Sequence, residues 1–308
     1  MMLVYEIWDV FTETPFAGNP LAIVRGAEGL SDGQMLTLAR EFNLSETIFV
    51  MPPRDAANTA RVRIFFPTAE IPFAGHPTVG CAIHLALEGR RQADFKARIV
   101  LEEEAGLVPV QVERRKGRVT AEFVAPVLPH AVEGVVDPAL LAKALDIPAS
   151  DIGFGRHQPG VWAGGPRFAY APVSGLNALG RARPVQPYWD QVTAAAGVDS
   201  VYLYTRGPDC DYRARMFSPT AGIPEDPATG SATAILAAQL LASGALSEGE
   251  TVLALAQGVE MGRESRLGLT VRVADGRLEQ VRVKGSAVRI AGGQIRVPGL
   301  SDGADQAM

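Results

Sequence analysis

Residues 61–66 read RVRIFF, with Arg61, Arg63 and Phe65 alternating against Val62, Ile64 and Phe66. A period of two marks a half-buried strand. Pro67 and Pro72 end it and set up a turn. From Gly75 to Leu87 the pattern changes: nearly every position is small or apolar, and Pro77 suits a first helical turn. Gly230–Leu241 is similar, with Ser231 and Thr233 early and Ala, Ile and Leu afterwards. A helix apolar all round has no face to offer water, so both segments are expected inside a wrapping of sheet. Short strands are predicted elsewhere, over 2–10, 20–25, 46–51, 98–103, 107–113, 118–124, 200–205, 251–256, 269–274, 278–284 and 287–297. A capping-box helix is predicted from Ser31, with Gln34 three residues on, to about Asn43, and another helix follows Asp137-Pro138.

The strand, turn and apolar helix occur twice. Residues 61–72 read RVRIFFPTAEIP and residues 213–224 read RARMFSPTAGIP, identical at eight of twelve positions at an offset of 152. After three extra residues in the second copy, AGHPTVGCAIHLAL lines up with TGSATAILAAQLL. A separation near half the chain implies duplicated halves, because a solenoid needs shorter and more numerous repeats. The Pro-rich stretch Ala125–Pro129 is the expected linker.

Composition adds exclusions. The chain has 308 residues, 29 Lys+Arg against 34 Asp+Glu and a formal charge of -5, so nothing draws it as a whole to nucleic acid or anionic lipid. No stretch reaches the roughly 18 apolar residues of a membrane span. The start, MMLVYEIWDV, lacks the basic and apolar regions of a signal peptide, and the two cysteines, Cys81 and Cys210, cannot build a disulfide framework. A reducing cytoplasm is the expected setting. Numerous strands, each with its turn, account for much of the 32 Gly and 22 Pro.

Each buried helix begins with N–H groups that have no partner within the helix and carry the positive end of its dipole. Pseudo-twofold packing of the halves would bring both starts to one cleft, where Gly75, His76 and Thr78 face Gly230, Ser231 and Ala232 across a site for a carboxylate or other small anion. A glycine before a buried helix also serves simply to relieve a tight turn. His76 and Asp226, beside the two turns, read either as site groups or as a packed histidine and a turn aspartate. Glu46, opening an apolar strand in NLSETIFV, is either a solvated strand-end carboxylate or, if buried, a base of raised pKa. Ser231, His76 and Asp226 are the residue types of a hydrolytic triad, but GSA lacks the G-x-S-x-G elbow. The four histidines are scattered without metal-ligand spacing, and there is no phosphate loop of Walker or Rossmann type, so no metal and no nucleotide cofactor is expected. Trp162, Arg167 and Tyr170, in the central segment, read as pocket-shaping or as ordinary strand and loop residues.

The runs FAGNPLAIV, AREFNLSETIFV, IPFAGHPTVG and EDPATGSA, in this order, resemble the PhzF-like family named for the phenazine-biosynthesis isomerase. The resemblance implies an α+β fold like that of diaminopimelate epimerase: two similar halves, each a curled mixed sheet around a central helix. On this basis residues 1–125 form the first half, joined by the C-terminal strand within 286–308, and residues 126–285 form the second. It also implies a cofactor-independent isomerase in which Glu46 takes a proton from one carbon of a small carboxylated substrate and returns it to another. His76 and Asp226 would assist, Gly75, Gly230 and Ser231 would bind substrate at the helix starts, and Asn19 would lie near the cleft. Related epimerases place one cysteine at each turn; here those neighbourhoods, Phe73-Ala74-Gly75 and Ala228-Thr229-Gly230, hold no thiol. A homodimer is expected from the resemblance alone. The alternatives are a serine hydrolase using Ser231 and a catalytically silent binding protein.

Overall fold

The computed structural model describes residues 1–89 and 93–299. Six helices are named: α1 (Asp32–Phe42), α2 (Gly75–Leu87), α3 (Pro138–Ala144), α4 (Leu176–Arg181), α5 (Tyr188–Ala196) and α6 (Gly230–Ala242). The first half of the chain contributes strands β1 (Met2–Val10), β2 (Asn19–Arg25), β3 (Glu46–Met51), β4 (Ala60–Phe65), β5 (Glu70–Ile71), β6 (Phe95–Glu103), β7 (Gly106–Arg115) and β8 (Arg118–Val124). The second contributes β9 (His130–Ala131), β10 (Gly160–Ala163), β11 (Arg167–Pro172), β12 (Val201–Arg206), β13 (Tyr212–Ser218), β14 (Ile223–Asp226), β15 (Gly249–Gln257), β16 (Ser265–Ala274), β17 (Arg277–Gly285) and β18 (Ala287–Arg296).

These strands form one mixed sheet that runs through β18, β1, β2, β3, β4, β6, β7 and β8, then β17, β16, β15, β13, β12, β11, β10 and β9. The short β5 and β14 pair with β4 and β13. Read from either end the order is the same path, with its parallel pairs, β2·β3 with β4·β6 and β11·β12 with β13·β15, at matching places. β8 and β17 join the two curls, and each curl closes on a strand that follows the other half's last one: β18 returns to β1, and β9 crosses to β10.

α2 and α6 fill the curls. Their faces pack into one continuous apolar core that includes Val79, Ile83, Ile235, Leu236 and Leu240 together with strand residues of both halves. Burial on every side explains why both segments are apolar throughout, since a charge at any of these positions would be desolvated. α1 instead lies outside, its Met35, Leu38 and Ala39 packed on Phe49 and Phe65. Ser31 and Gln34 cap it reciprocally, and Asn43 ends it in the left-handed region at φ 50°. α4 and α5 pack outside the second curl around Leu179, Trp189 and Val192.

The predicted strand positions hold, most extended by a residue or more at an end. Five strands and two α-helices were not among the expectations: the short β5, β9, β10 and β14, together with β11, α4 and α5. β10 is only four residues, GVWA, and β11 is buried over most of its length, so neither shows a usable alternation. Part of the expected C-terminal segment, residues 300–308, lies outside the described residues. No helix among the described residues is long and apolar enough to cross a membrane.

Candidate active site

The two buried helices meet start to start. A Cβ placed on Gly75 would stand 2.9 Å from the Cα and carbonyl carbon of Gly230 and 3.1 Å from the Ser231 nitrogen. A Cβ on Gly230 would stand 3.0 Å from the Gly75 Cα. Glycine is therefore needed at both places for close approach, beyond any relief of a turn. Neither Ala74 nor Thr229, the residues preceding the helices, makes a side-chain cap, so the first N–H groups of α2 and α6 face the junction. Abutting helix starts bring like partial charges together, an arrangement that negative groups stabilise.

Two carboxyls supply them. Glu46 opens β3 and is 7% exposed; Asp226 closes β14 and is 3% exposed. Asp226 Oδ1 accepts hydrogen bonds from Asn19 Nδ2 at 2.7 Å and Ser45 Oγ at 3.0 Å, and Oδ2 accepts from Thr229 Oγ1 at 2.6 Å. Burial pushes its pKa up to about 6, while these three donors pull the other way. Glu46 is raised well above the ordinary carboxyl range, first by burial and then by the negative charge of Asp226. Burial pushes His76 down to about 3, opposed by a hydrogen bond to the Pro20 backbone, so its imidazole is neutral near pH 7.

Asn19 ties these groups together. Its Nδ2 also donates to the Ala228 carbonyl at 2.9 Å and lies 3.4 Å from His76 Nδ1. Glu46 Oε2 is 3.1 Å from the same His76 nitrogen but makes no hydrogen bond of good geometry. Glu46 Oε2, His76 Nε2 and Asn19 Oδ1 remain buried without a hydrogen bond, on side chains that meet around His76 Nδ1. Unpaired buried polar atoms are costly, and neighbouring side chains that keep them are suited to receive a polar ligand.

The structure brings Asn19, Glu46, His76, Gly75, Asp226, Gly230 and Ser231 to this junction. The burial of Glu46 decides against a solvated strand end. A hydrolytic triad is not assembled: Asp226 bonds to Asn19, Ser45 and Thr229, and no hydrogen bond among the described residues links Ser231 to His76. Trp162 and Tyr170 hold α6 from the side, through Gln239 at 2.5 Å and the Ala232 carbonyl at 2.6 Å, and Arg167 is exposed at the start of β11. Cys81 lies within α2, its thiol pushed up by burial and by Glu103, and Cys210 lies in the turn before β13. No cluster of three or more His, Cys, Asp or Glu residues suited to a metal is found among the described residues.

Several supporting residues escaped the sequence reading. Gln257 donates to the Asp226 carbonyl at 2.8 Å and accepts from the Thr229 N–H at 3.1 Å, holding the turn before α6. Arg263 donates to Asp9 at 2.6 Å and to the carbonyls of Ala17 and Gly18, fixing the loop that delivers Asn19. Gly18 in that loop has φ +69°, and a Cβ there would stand 2.4 Å from the Val10 carbonyl oxygen. A polar residue ending an apolar strand is the only local sign of Gln257; Arg263 carries none.

The sequence pattern of the PhzC-PhzF phenazine biosynthesis-like proteins matches residues 8–293. An uncharacterized isomerase of Mesorhizobium japonicum is 40% identical over 298 residues, covering 94% of this chain and 98% of the relative. The trans-2,3-dihydro-3-hydroxyanthranilate isomerase of Pseudomonas aeruginosa is 36% identical over 290 residues, covering 94% and 98%. The crystal structure of a Bacillus anthracis phenazine biosynthesis protein of the PhzF family superposes with a TM-score of 0.85 at 24% identity, covering 96% of this chain and 100% of that one, a likeness of fold.

Proposed function

Because this chain belongs to the phenazine biosynthesis-like PhzC-PhzF family of isomerases, we propose that it moves a proton between two carbons of one small carboxylated substrate, with Glu46 as the general acid and base. The observation that carries this reading is the gathering of buried Glu46, His76 and Asn19, each with a polar atom that makes no hydrogen bond, at the meeting of two helix starts. The cleft lies between a half made of residues 1–125 with the strand after 286, and a half made of residues 126–285.

The substrate carboxylate sits against the first N–H groups of α2 and α6, which also stabilise the charge that develops when a C–H bond beside a conjugated system is broken. Ionised Glu46, held as an unusually strong base by burial and by Asp226, takes that proton. The same carboxyl then delivers it to a second carbon on the same face, so the substrate leaves with a shifted double bond and no net change in composition. Neutral His76 and the Asn19 amide orient the substrate's polar groups, and Asp226, held by Asn19, Ser45 and Thr229, keeps Asn19 in place. A single carboxyl shuttle is consistent with turns that carry no thiol.

The probe is trans-2,3-dihydro-3-hydroxyanthranilate, the compound in the Pseudomonas relative's name. In deuterium oxide the reading expects deuterium at carbon in the product to the extent that the proton held by Glu46 exchanges with solvent before it is returned. Glu46→Gln should lower turnover by about 10²–10⁴-fold while the Tm holds or rises, since the amide removes a desolvated ionisable group. Turnover within threefold of the parent in a folded Glu46→Gln protein would refute the role of Glu46.

A further inference from the structure

We propose that Glu103 is a positioning residue: as a neutral carboxylic acid it braces the start of α2, and it is the first half's counterpart of Gln257. The equivalence follows from register. Ala60 on β4 pairs with Leu101 on β6, and Tyr212 on β13 pairs with Leu255 on β15. Ala60 and Tyr212 occupy the same place in the two copies of the repeat, so Glu103 and Gln257, each two residues further along, do too. Gln257 holds the turn before α6 through the Asp226 carbonyl and the Thr229 N–H and hydroxyl.

Proton counting at Thr78 gives the state of Glu103. The Thr78 hydroxyl is 2.7 Å from the Ala74 carbonyl and 2.8 Å from Glu103 Oε1. A hydroxyl has one proton, and a carbonyl oxygen can only accept. We assign the Thr78 proton to Ala74, which leaves the contact with Glu103 to a proton that the carboxyl donates. The chain of donors runs from Glu103 through Thr78 to Ala74, the residue immediately before Gly75 and His76. Glu103 is 7% exposed, and burial pushes its pKa up to about 8, against a lowering by the Thr78 hydroxyl. Thr78 and Cys81 face it from α2; Arg61 on β4 is engaged 3.9 Å away by Glu104.

The catalytic half of this inference rests on the isomerase reading of the junction; the protonation half does not, and the test separates them. Parent, Glu103→Gln and Glu103→Leu are compared by Tm from pH 5 to 9, and by kcat/KM with trans-2,3-dihydro-3-hydroxyanthranilate over the same range. A folded-state pKa above the unfolded value means that the parent loses stability as pH rises through the interval up to about 8. The Tm of Glu103→Gln should therefore gain on the parent steadily to about pH 8 and then run level with it. In activity, Glu103→Gln should keep parental kcat/KM at pH 7 and lose an alkaline decline that the parent shows above about pH 8, whereas Glu103→Leu falls tenfold or more at every pH. A Tm difference that does not change with pH overturns the neutral acid, whether or not the probe is turned over. An unchanged alkaline decline in Glu103→Gln, or a loss at pH 7 equal to that of Glu103→Leu, overturns the positioning role. If Glu103→Leu does not fold, the parent and Glu103→Gln decide both points.

Discussion

Gly75→Ala tests whether the two helix starts touch as the structure has them. The added methyl would stand 2.9 Å from Gly230 Cα and from its carbonyl carbon, where ordinary contacts begin near 3.4 Å. Both obstacles are backbone atoms on a buried helix, so no side chain can swing aside. The helices must part by roughly half an ångström, an overpacking that costs about 1–3 kcal/mol. At about 2–4 °C per kcal/mol in a large domain, the Tm should fall by a few to about ten degrees. Displacing reacting groups by about 1 Å costs on the order of 100-fold in rate, so half that separation predicts roughly a tenfold loss in kcat/KM. Differential scanning calorimetry and initial rates measure the two effects. Gly33→Ala is the control: it lies on the exposed side of α1 with nothing within 4 Å of the added carbon. It should be neutral or stabilising by a few tenths of a kcal/mol or more, as expected for alanine in a helix. A Gly75→Ala protein with parental Tm and parental kcat/KM would refute the contact.

Other expectations concern charge. Asp226, pushed up to about 6, takes a proton as pH falls through that value, so kcat/KM should decline below about pH 6. Ser45→Ala or Thr229→Val removes a donor that favours the charged form, so the decline should begin at higher pH; a decline that stays put refutes the assignment. Arg215 makes a two-pronged contact with Glu225 and donates to the carbonyls of Leu179, Gly180 and Ala182. Arg215→Met should cost about 3–5 kcal/mol by urea denaturation, because it strands a largely buried carboxylate. Its repeat counterpart Arg63 pairs with Glu70 and with Asp32, whose side chain is 82% exposed. Arg63→Met should therefore cost less, and equal losses would contradict this account. A fluorophosphonate should leave Ser231 unlabelled, by intact-mass measurement, since no hydrogen bond joins it to His76.

The local patterns read in the chain were sufficient wherever the cause was local. Ser31, Gln34 and Asn43 bound α1 because capping is satisfied within a few residues. The repeat located both central helices, and the four motifs named the groups that meet between them. β10 and β11 were not legible because a strand buried on both faces, or only four residues long, leaves no alternation to read. Gln257 and Arg263 were missed for a different reason: their partners, Asp226 and the loop before Asn19, are distant in sequence.

The duplication also shows where sequence similarity stops being informative. In the aligned halves His76 corresponds to Ser231, and Asp226 falls among the three extra residues of the second copy, so the two helix starts are alike in backbone and unlike in chemistry. The amino-acid sequence alone determined the two copies, the burial of their helices and the identity of the polar residues beside each turn. Periodicity and turn chemistry act between neighbours, so they are written in order along the chain. Only the tertiary structure decided that Asn19 reaches Asp226 across 207 positions, that Glu46 is buried beside a second carboxyl, and that Glu103 is buried against Thr78 at the start of α2. Desolvation and hydrogen-bond geometry depend on which atoms surround a group in space, and those atoms come from both halves of the chain.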